Sequence, residues 1–127
     1  MVTAILSSEM IEFGRRVIEQ LDSDGIRIDA AFWFLLSEQE TWKLMLSGPE
    51  LTAKGPHAAY KAVQESLSNI PEPTVTLDAV AILKSDSPLI GLLRAGIRTG
   101  PGISGIRFSK NVVAGNLIED AYIYRLV

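Results

Sequence analysis

The chain has 127 residues, 47% hydrophobic and 21% charged, with a formal net charge of −3 and no cysteine. That length fits one domain over residues 1–127, able to bury about two-thirds of the surface its unfolded chain exposes without a disulfide or metal. The missing cysteine excludes thiol catalysis, iron–sulfur clusters and cysteine zinc sites, and the composition excludes bulk disorder.

Residues 1–8 carry no basic lead and only a short apolar run, unlike a secretory signal. No stretch reaches the ~18 apolar residues of a membrane span. The expectation is a soluble, cytoplasmic protein. Its charge is uneven: residues 1–83 hold 6 basic and 12 acidic side chains, residues 84–127 hold 6 and 3. Such asymmetry marks a polyanion-binding end or lets two copies meet head to tail.

The first element reads as a helix from Ser8 to Leu21. Met10, Phe13, Val17, Ile18 and Leu21 recur at steps of three and four, with Ser7 or Ser8 as cap and Asp22-Ser23-Asp24-Gly25 as stop. Ile26–Leu36 alternates and is aromatic-rich, so it reads as a strand, apolar on both faces in its inner half. Ser37–Glu40 turns the chain, and Thr41–Ser47 returns as a second strand that places Trp42 near Trp33. Gly55-Pro56 opens a second helix, with Tyr60, Val63, Leu67 and Ile70 as its buried stripe, closed by Pro71-Glu72-Pro73. Val75–Lys84 is a third strand, so apolar that it reads as central. Asp86-Ser87-Pro88 starts a third helix running to Arg98. Ile106–Ala114 and Leu117–Leu126 flank Gly115-Asn116, a hairpin signal. The order α-β-β-α-β-α-β-β predicts an α+β (or mixed-sheet α/β) fold with one mixed five-stranded sheet and helices packed on it.

Gly100, Gly102 and Gly105 spell Gly-x-Gly-x-x-Gly, the fingerprint of dinucleotide-binding folds. That motif needs a strand before it and a helix after it, so that the helix's positive end meets the pyrophosphate. Here the order is inverted, and the acidic residue at the expected spacing, Asp120, falls in a hairpin. The simpler reading makes Gly100 a helix terminator and the others turn residues. A loop-amide nest for an anion remains open, built from Arg98, Gly100, Gly102, Ser104, Gly105, Arg107 and Lys110, with the hydroxyls of Thr99 and Ser109 beside it.

His57 is the only histidine, which excludes a multi-histidine metal site. No Gly-x-Ser-x-Gly elbow supports a Ser-His-Asp arrangement. Asp29, Asp78 and Asp120 each precede an alanine in a strand-like segment; if their strands are neighbours, these carboxylates and Glu119 form a magnesium site for phosphodiester chemistry. Against that, the chain has no Glu-x-Lys, and Arg27 stands ready to pair with Asp29. Trp33, Trp42, Tyr122 and Tyr124 offer a base-stacking or partner surface if one sheet face is bare, although overall acidity weighs against nucleic acid.

Taking Gly115-Asn116 as a two-residue loop, Val113 opposes Ile118 and Arg107 lies against the Tyr124 ring. A bulge near Ser109-Lys110-Asn111 would shift everything beyond it and swap faces. These observations point to a non-catalytic accessory or protein-interaction module with no cofactor and no membrane association. Its open sheet edges favour self-association or an unidentified protein partner. The rival reading is a phosphate-directed enzyme or nucleic-acid-processing domain using the aspartates and the 98–110 loop.

Overall fold

Both end signals of the first helix work as the sequence suggests. In the computed structural model, which describes residues 5–70 and 77–127, helix α1 spans Ser8–Ser23. Ser7 Oγ accepts the Met10 amide at 3.1 Å, and Gly25 (φ +76°) takes the left-handed conformation that ends the helix. After it come β1 (Ala30–Leu36), β2 (Thr41–Ser47), a one-turn helix α2 (Pro49–Thr52) and α3 (Pro56–Ser68). A 3-10 turn (Leu77–Ala79) leads into β3 (Val80–Ile82), then α4 (Pro88–Gly96), β4 (Ile106–Val113) and β5 (Asn116–Leu126). The fold is α+β in the expected order, with α2 and the 3-10 turn added.

The five strands form one sheet in the order β3-β2-β1-β5-β4. Among the described residues only β2 and β3 run parallel, so the sheet is mixed. Its centre is β1, whose Ala30–Trp33 are buried on both faces. The third strand is not central as its apolar run suggests. It is three residues long and lies at the edge, where Val80 packs toward α3 and Ala81 toward α4. Helices on both faces make the run apolar. Its outer edge is occupied too, because the Tyr60 hydroxyl of α3 accepts the Ile82 amide at 3.1 Å. The expected start of that strand at Val75, and the Pro71-Glu72-Pro73 stop, lie outside the described residues.

The side chains divide by face. Ala31, Trp33, Leu44, Leu46, Val80 and Tyr124 join α1 and α3 in one cluster, which includes Phe13, Val17, Ile18, Leu21 and Val63. Ala30, Phe32, Met45, Ala121 and Ile123 join Ile90 and Leu93 of α4 in the other. The sheet therefore has helices on both faces, which is why β1 is apolar without alternation. Trp33 and Trp42 are diagonal neighbours, since Trp33 pairs with Leu44 and Leu35 with Trp42.

A register shift between Ala31 and Phe32 separates two stretches of the β1–β5 ladder, leaving Tyr124 as the extra residue on β5. A bulge of this kind turns two consecutive side chains the same way. Tyr124 and Arg125 both reach the α1 side. The Tyr124 hydroxyl accepts Trp33 Nε1–H at 3.0 Å and donates to the Ile11 carbonyl at 2.5 Å. Arg125, 5% exposed, donates to both carboxylate oxygens of Asp22 and to the carbonyls of Ile28 and Gly102. Two adjacent residues of the last strand thus fasten the first helix, the entry to β1 and the 97–105 loop.

Candidate functional site

The 97–105 loop differs in geometry from the one its sequence suggests. Helix α4 ends at Gly96, and Ile97 is already extended (φ −140°), so Gly100 does not terminate it. The cause is pairing with β5. The Thr99 amide donates to the Leu126 carbonyl and the Ser104 amide to the Tyr124 carbonyl, while Thr99 Oγ1 accepts the Leu126 amide. The loop therefore runs along the second half of β5 as a partial strand. An anion nest needs backbone alternating into the left-handed region. No residue from Ile97 to Gly105 has a positive φ, and two of the loop's amides are already committed. Gly102 offers its carbonyl, which Arg125 uses. Around Gly100 and Gly102 there is open space, whereas a Cβ at Gly105 would stand 2.5 Å from the Tyr122 hydroxyl. The glycine pattern thus has one steric cause, the end of the Tyr122 ring. Arg98 and Lys110 are exposed, and neither is paired among the described residues.

Arg107 is committed elsewhere. Its Nε and Nη2 bind the two oxygens of Asp120 at 2.6 and 2.5 Å, and Ser109 Oγ donates to the same carboxylate at 2.7 Å. The guanidinium also lies 5.6 Å from the centre of the Trp42 ring, not on Tyr124. Burial alone would raise the Asp120 carboxyl, but the hydrogen bonds from Arg107 and Ser109 outweigh it and hold the group below the usual carboxylate value. Hydrogen bonding to Asp120 in turn raises Arg107. With its charge already neutralised, Arg107 has little left for a phosphate.

The three aspartates do not converge. Asp29 stands just before β1, pairs with Arg27 at 3.0 Å, donates its amide to the Ser47 carbonyl and accepts the Val127 amide. Asp120 lies near the opposite end of the sheet: β1 runs antiparallel to β5, and Asp120 is one residue beyond the Phe34–Ala121 pair. At about 3.3 Å per residue the two are separated by roughly 20 Å along the strands, too far for one cation. Asp78 sits in the 3-10 turn beyond β2, where its carbonyl accepts from Lys43 Nζ. Among the described residues no group of three or more histidine, aspartate or glutamate side chains is placed to hold a metal ion. Glu119 lies in β5 next to Asp120, and His57 is exposed on the first turn of α3.

The hairpin presents a surface that the sequence reading missed. Its two-residue loop is Ala114-Gly115, with φ +49° and +80°, which pairs Val113 with Asn116 and Arg107 with Tyr122. Such a turn needs positive φ at both central residues, and Asn116 is instead the first residue of β5. The pairing breaks at Lys110 (φ +47°), which has no ladder partner. On the loop side of that break the faces swap, but the register does not shift as a bulge would require: Ser109 pairs with Asp120 and Asn111 with Ile118, so one residue is skipped on each strand. Phe108 and Ala121 face α4 before the break, and Val113 and Ile118 face it beyond. Their neighbours Val112 and Leu117 therefore turn outward as a cross-strand pair, 68% and 61% exposed. The pairing of β1 with β5 extends only to Ala121, so Asn116–Asp120 project past it. The signal was present in Val112-Val113 and Leu117-Ile118: two adjacent apolar residues on each arm place one on each face, and one of each pair is exposed wherever only one face is covered.

A cleft of about 350 Å³ lies between α2, the first turn of α3 and the end of β3, lined by Thr52, Ala53, Gly55, Pro56, Ala59, Tyr60, Ile82 and Lys84. No helix of the described residues is long and apolar enough to cross a membrane. No protein-family model, curated protein or solved structure matches this chain.

Proposed function

We propose that the chain is a non-catalytic interaction module that docks onto protein through the outer face of its β4–β5 hairpin. The observation that carries this reading is the Val112–Leu117 pair, two large apolar side chains held side by side on a projecting arm. A rigid, exposed apolar pair costs solvation in the free chain and is the kind of surface a partner covers. The inner face of the same arm is fixed by Val113 and Ile118, 7% and 2% exposed, so the pair is presented on ordered backbone. Strand-to-strand addition is the less suitable mode. Lys110 breaks the β4 edge and adds a charge, both devices that blunt edge pairing. Docking by side chains across the hairpin face fits the geometry better.

The test uses the double variant Val112→Ser/Leu117→Ser. Both sites are exposed, so stability should change by about 0.5 kcal/mol or less at each. In a native extract the wild-type chain should migrate in a complex, above the 13.8 kDa of one chain, and the variant as a monomer with an unchanged melting curve. Identical migration of the two chains would refute the reading.

A further inference from the structure

The cleft beside β3 combines an apolar floor with two unused donors. Ala53, Pro56, Ala59 and Ile82 supply hydrocarbon, and Tyr60 and Lys84 supply the polar groups. The Tyr60 hydroxyl oxygen is anchored by the Ile82 amide at 3.1 Å, while its proton has no acceptor among the described residues. The Lys84 ammonium likewise makes no hydrogen bond or ion pair among them. Thr52 is not free to contribute a proton, because its hydroxyl donates to the Gly48 carbonyl at 3.1 Å. Among the described residues no acidic side chain lines the cleft. It is also more enclosed than the shallow hollows along α1 and between α2 and α3, where glutamates lie beside the basic side chains.

We propose that this cleft binds a small apolar monocarboxylate, with its carboxylate on Lys84 Nζ and the Tyr60 hydroxyl and its hydrocarbon body against Ala53, Pro56, Ala59 and Ile82. The chemistry selects this class in three steps. Two donors with no carboxylate side chain beside them among the described residues favour an acceptor ligand. One cation balances a single negative charge, so a monoanion fits and a phosphate dianion is left half-neutralised. The alanine, proline and isoleucine contacts then favour a hydrocarbon body over a sugar, whose hydroxyls would lose water without replacement. The volume is at the small end for ligand sites, which limits the ligand to a short chain or one ring. Because the phenol is already tied to β3, the site is largely pre-formed and little ordering is needed on binding. This inference is independent of the hairpin.

The experiment is an amide-resolved NMR titration of the full chain with hexanoate, hexan-1-ol, hexylamine and inorganic phosphate. Hexanoate should shift the amides of Ala53, Gly55, Tyr60, Ile82 and Lys84. It should bind about tenfold more tightly than the alcohol, since a charge-assisted bond replaces a neutral one. The amine and phosphate should leave those amides unmoved. Lys84→Gln, at an exposed position, should reduce hexanoate binding to the level of hexanol with the remaining spectrum intact. Ala53→Phe, also at an exposed position, should place a ring in the cleft and abolish the shifts. The proposal is overturned by no shift with hexanoate, by shifts spread over the surface, by equal affinity for hexanol, or by a Lys84→Gln chain that binds hexanoate like the wild type.

Discussion

Substituting Gly14 by alanine separates packing from helix propensity. Gly14 lies in the middle of α1, where the helix crosses the Trp33–Tyr124 pair. Propensity alone favours alanine by roughly 0.5–1 kcal/mol in a helix interior. Packing opposes it. A Cβ at Gly14 would stand 2.7 Å from Trp33 Nε1 and would also collide with the Tyr124 hydroxyl. Neither ring has room to yield, since Trp33 and Tyr124 are 0% and 1% exposed. Moving the Tyr124 hydroxyl would also strain its bonds to Trp33 and to the Ile11 carbonyl, each worth about 1 kcal/mol net. Overpacking of this kind costs about 1–3 kcal/mol and the strained hydrogen bonds about 1 kcal/mol more, so after the propensity gain Gly14→Ala loses about 1–3 kcal/mol net. Gly91 of α4 is the control. It is exposed, and a Cβ there meets nothing within 4 Å, so Gly91→Ala should gain about 0.5–1 kcal/mol. Urea unfolding followed by tryptophan fluorescence and far-UV circular dichroism measures both. A Gly14→Ala chain as stable as the wild type, or more so, would refute the close approach of α1 to the sheet.

Other expectations follow from single contacts. Arg125→Met should cost about 2–3 kcal/mol in urea unfolding. It leaves two carbonyls and Asp22 without their donor, and the 40% exposure of Asp22 places the loss below that of a fully buried pair. Arg125→Lys should restore little, because one ammonium cannot reproduce the fork on Asp22 together with the two carbonyl bonds. Asp120 is held below its unfolded value, so the stability it contributes is present above about pH 4 and is lost as pH falls through the lower folded value. Asp120→Asn should therefore flatten the acid limb of a stability–pH curve, at a cost of less than about 1 kcal/mol near neutrality, because Arg107 is 46% exposed. Ala114→Asn converts the hairpin loop to Asn-Gly at positive φ and should stabilise the chain by about 0.5–1 kcal/mol in thermal unfolding, whereas Asn116→Gly should not.

The fold was largely legible because its cues are local. The Ser7 cap, the stripe from Met10 to Leu21 and the Gly55-Pro56 start depend on neighbours within one or two turns. The doubly apolar run in β1 announced a covered strand. The edge position of β3 was hidden for the same reason: two apolar faces report what lies above and below a strand, not what lies beside it. The hairpin loop was misplaced by one residue because Gly-Asn and Ala-Gly compete as turn centres. The φ of +49° at Ala114, unusual for alanine, is settled by packing of Val113 and Ile118 against the α4 side. The glycine stretch lies between a helix and a strand, in the order its surroundings suggested. Its pairing with β5 depends on contacts such as Thr99 with Leu126, which no local pattern encodes. Arg125 was invisible as a structural residue, because only the bulge at Tyr124 turns it inward.

The central claim is that the outward hairpin face, and not a pocket of reacting groups, is where this chain acts. Photo-crosslinking from position 112 in the cells that make the protein tests it most directly, with Lys61 on exposed α3 as the control position. The expected result is a discrete adduct from position 112 and none from position 61. An adduct at twice 13.8 kDa identifies a second copy, and any other mass a different protein. Equal labelling from both positions, or none from position 112, contradicts the claim.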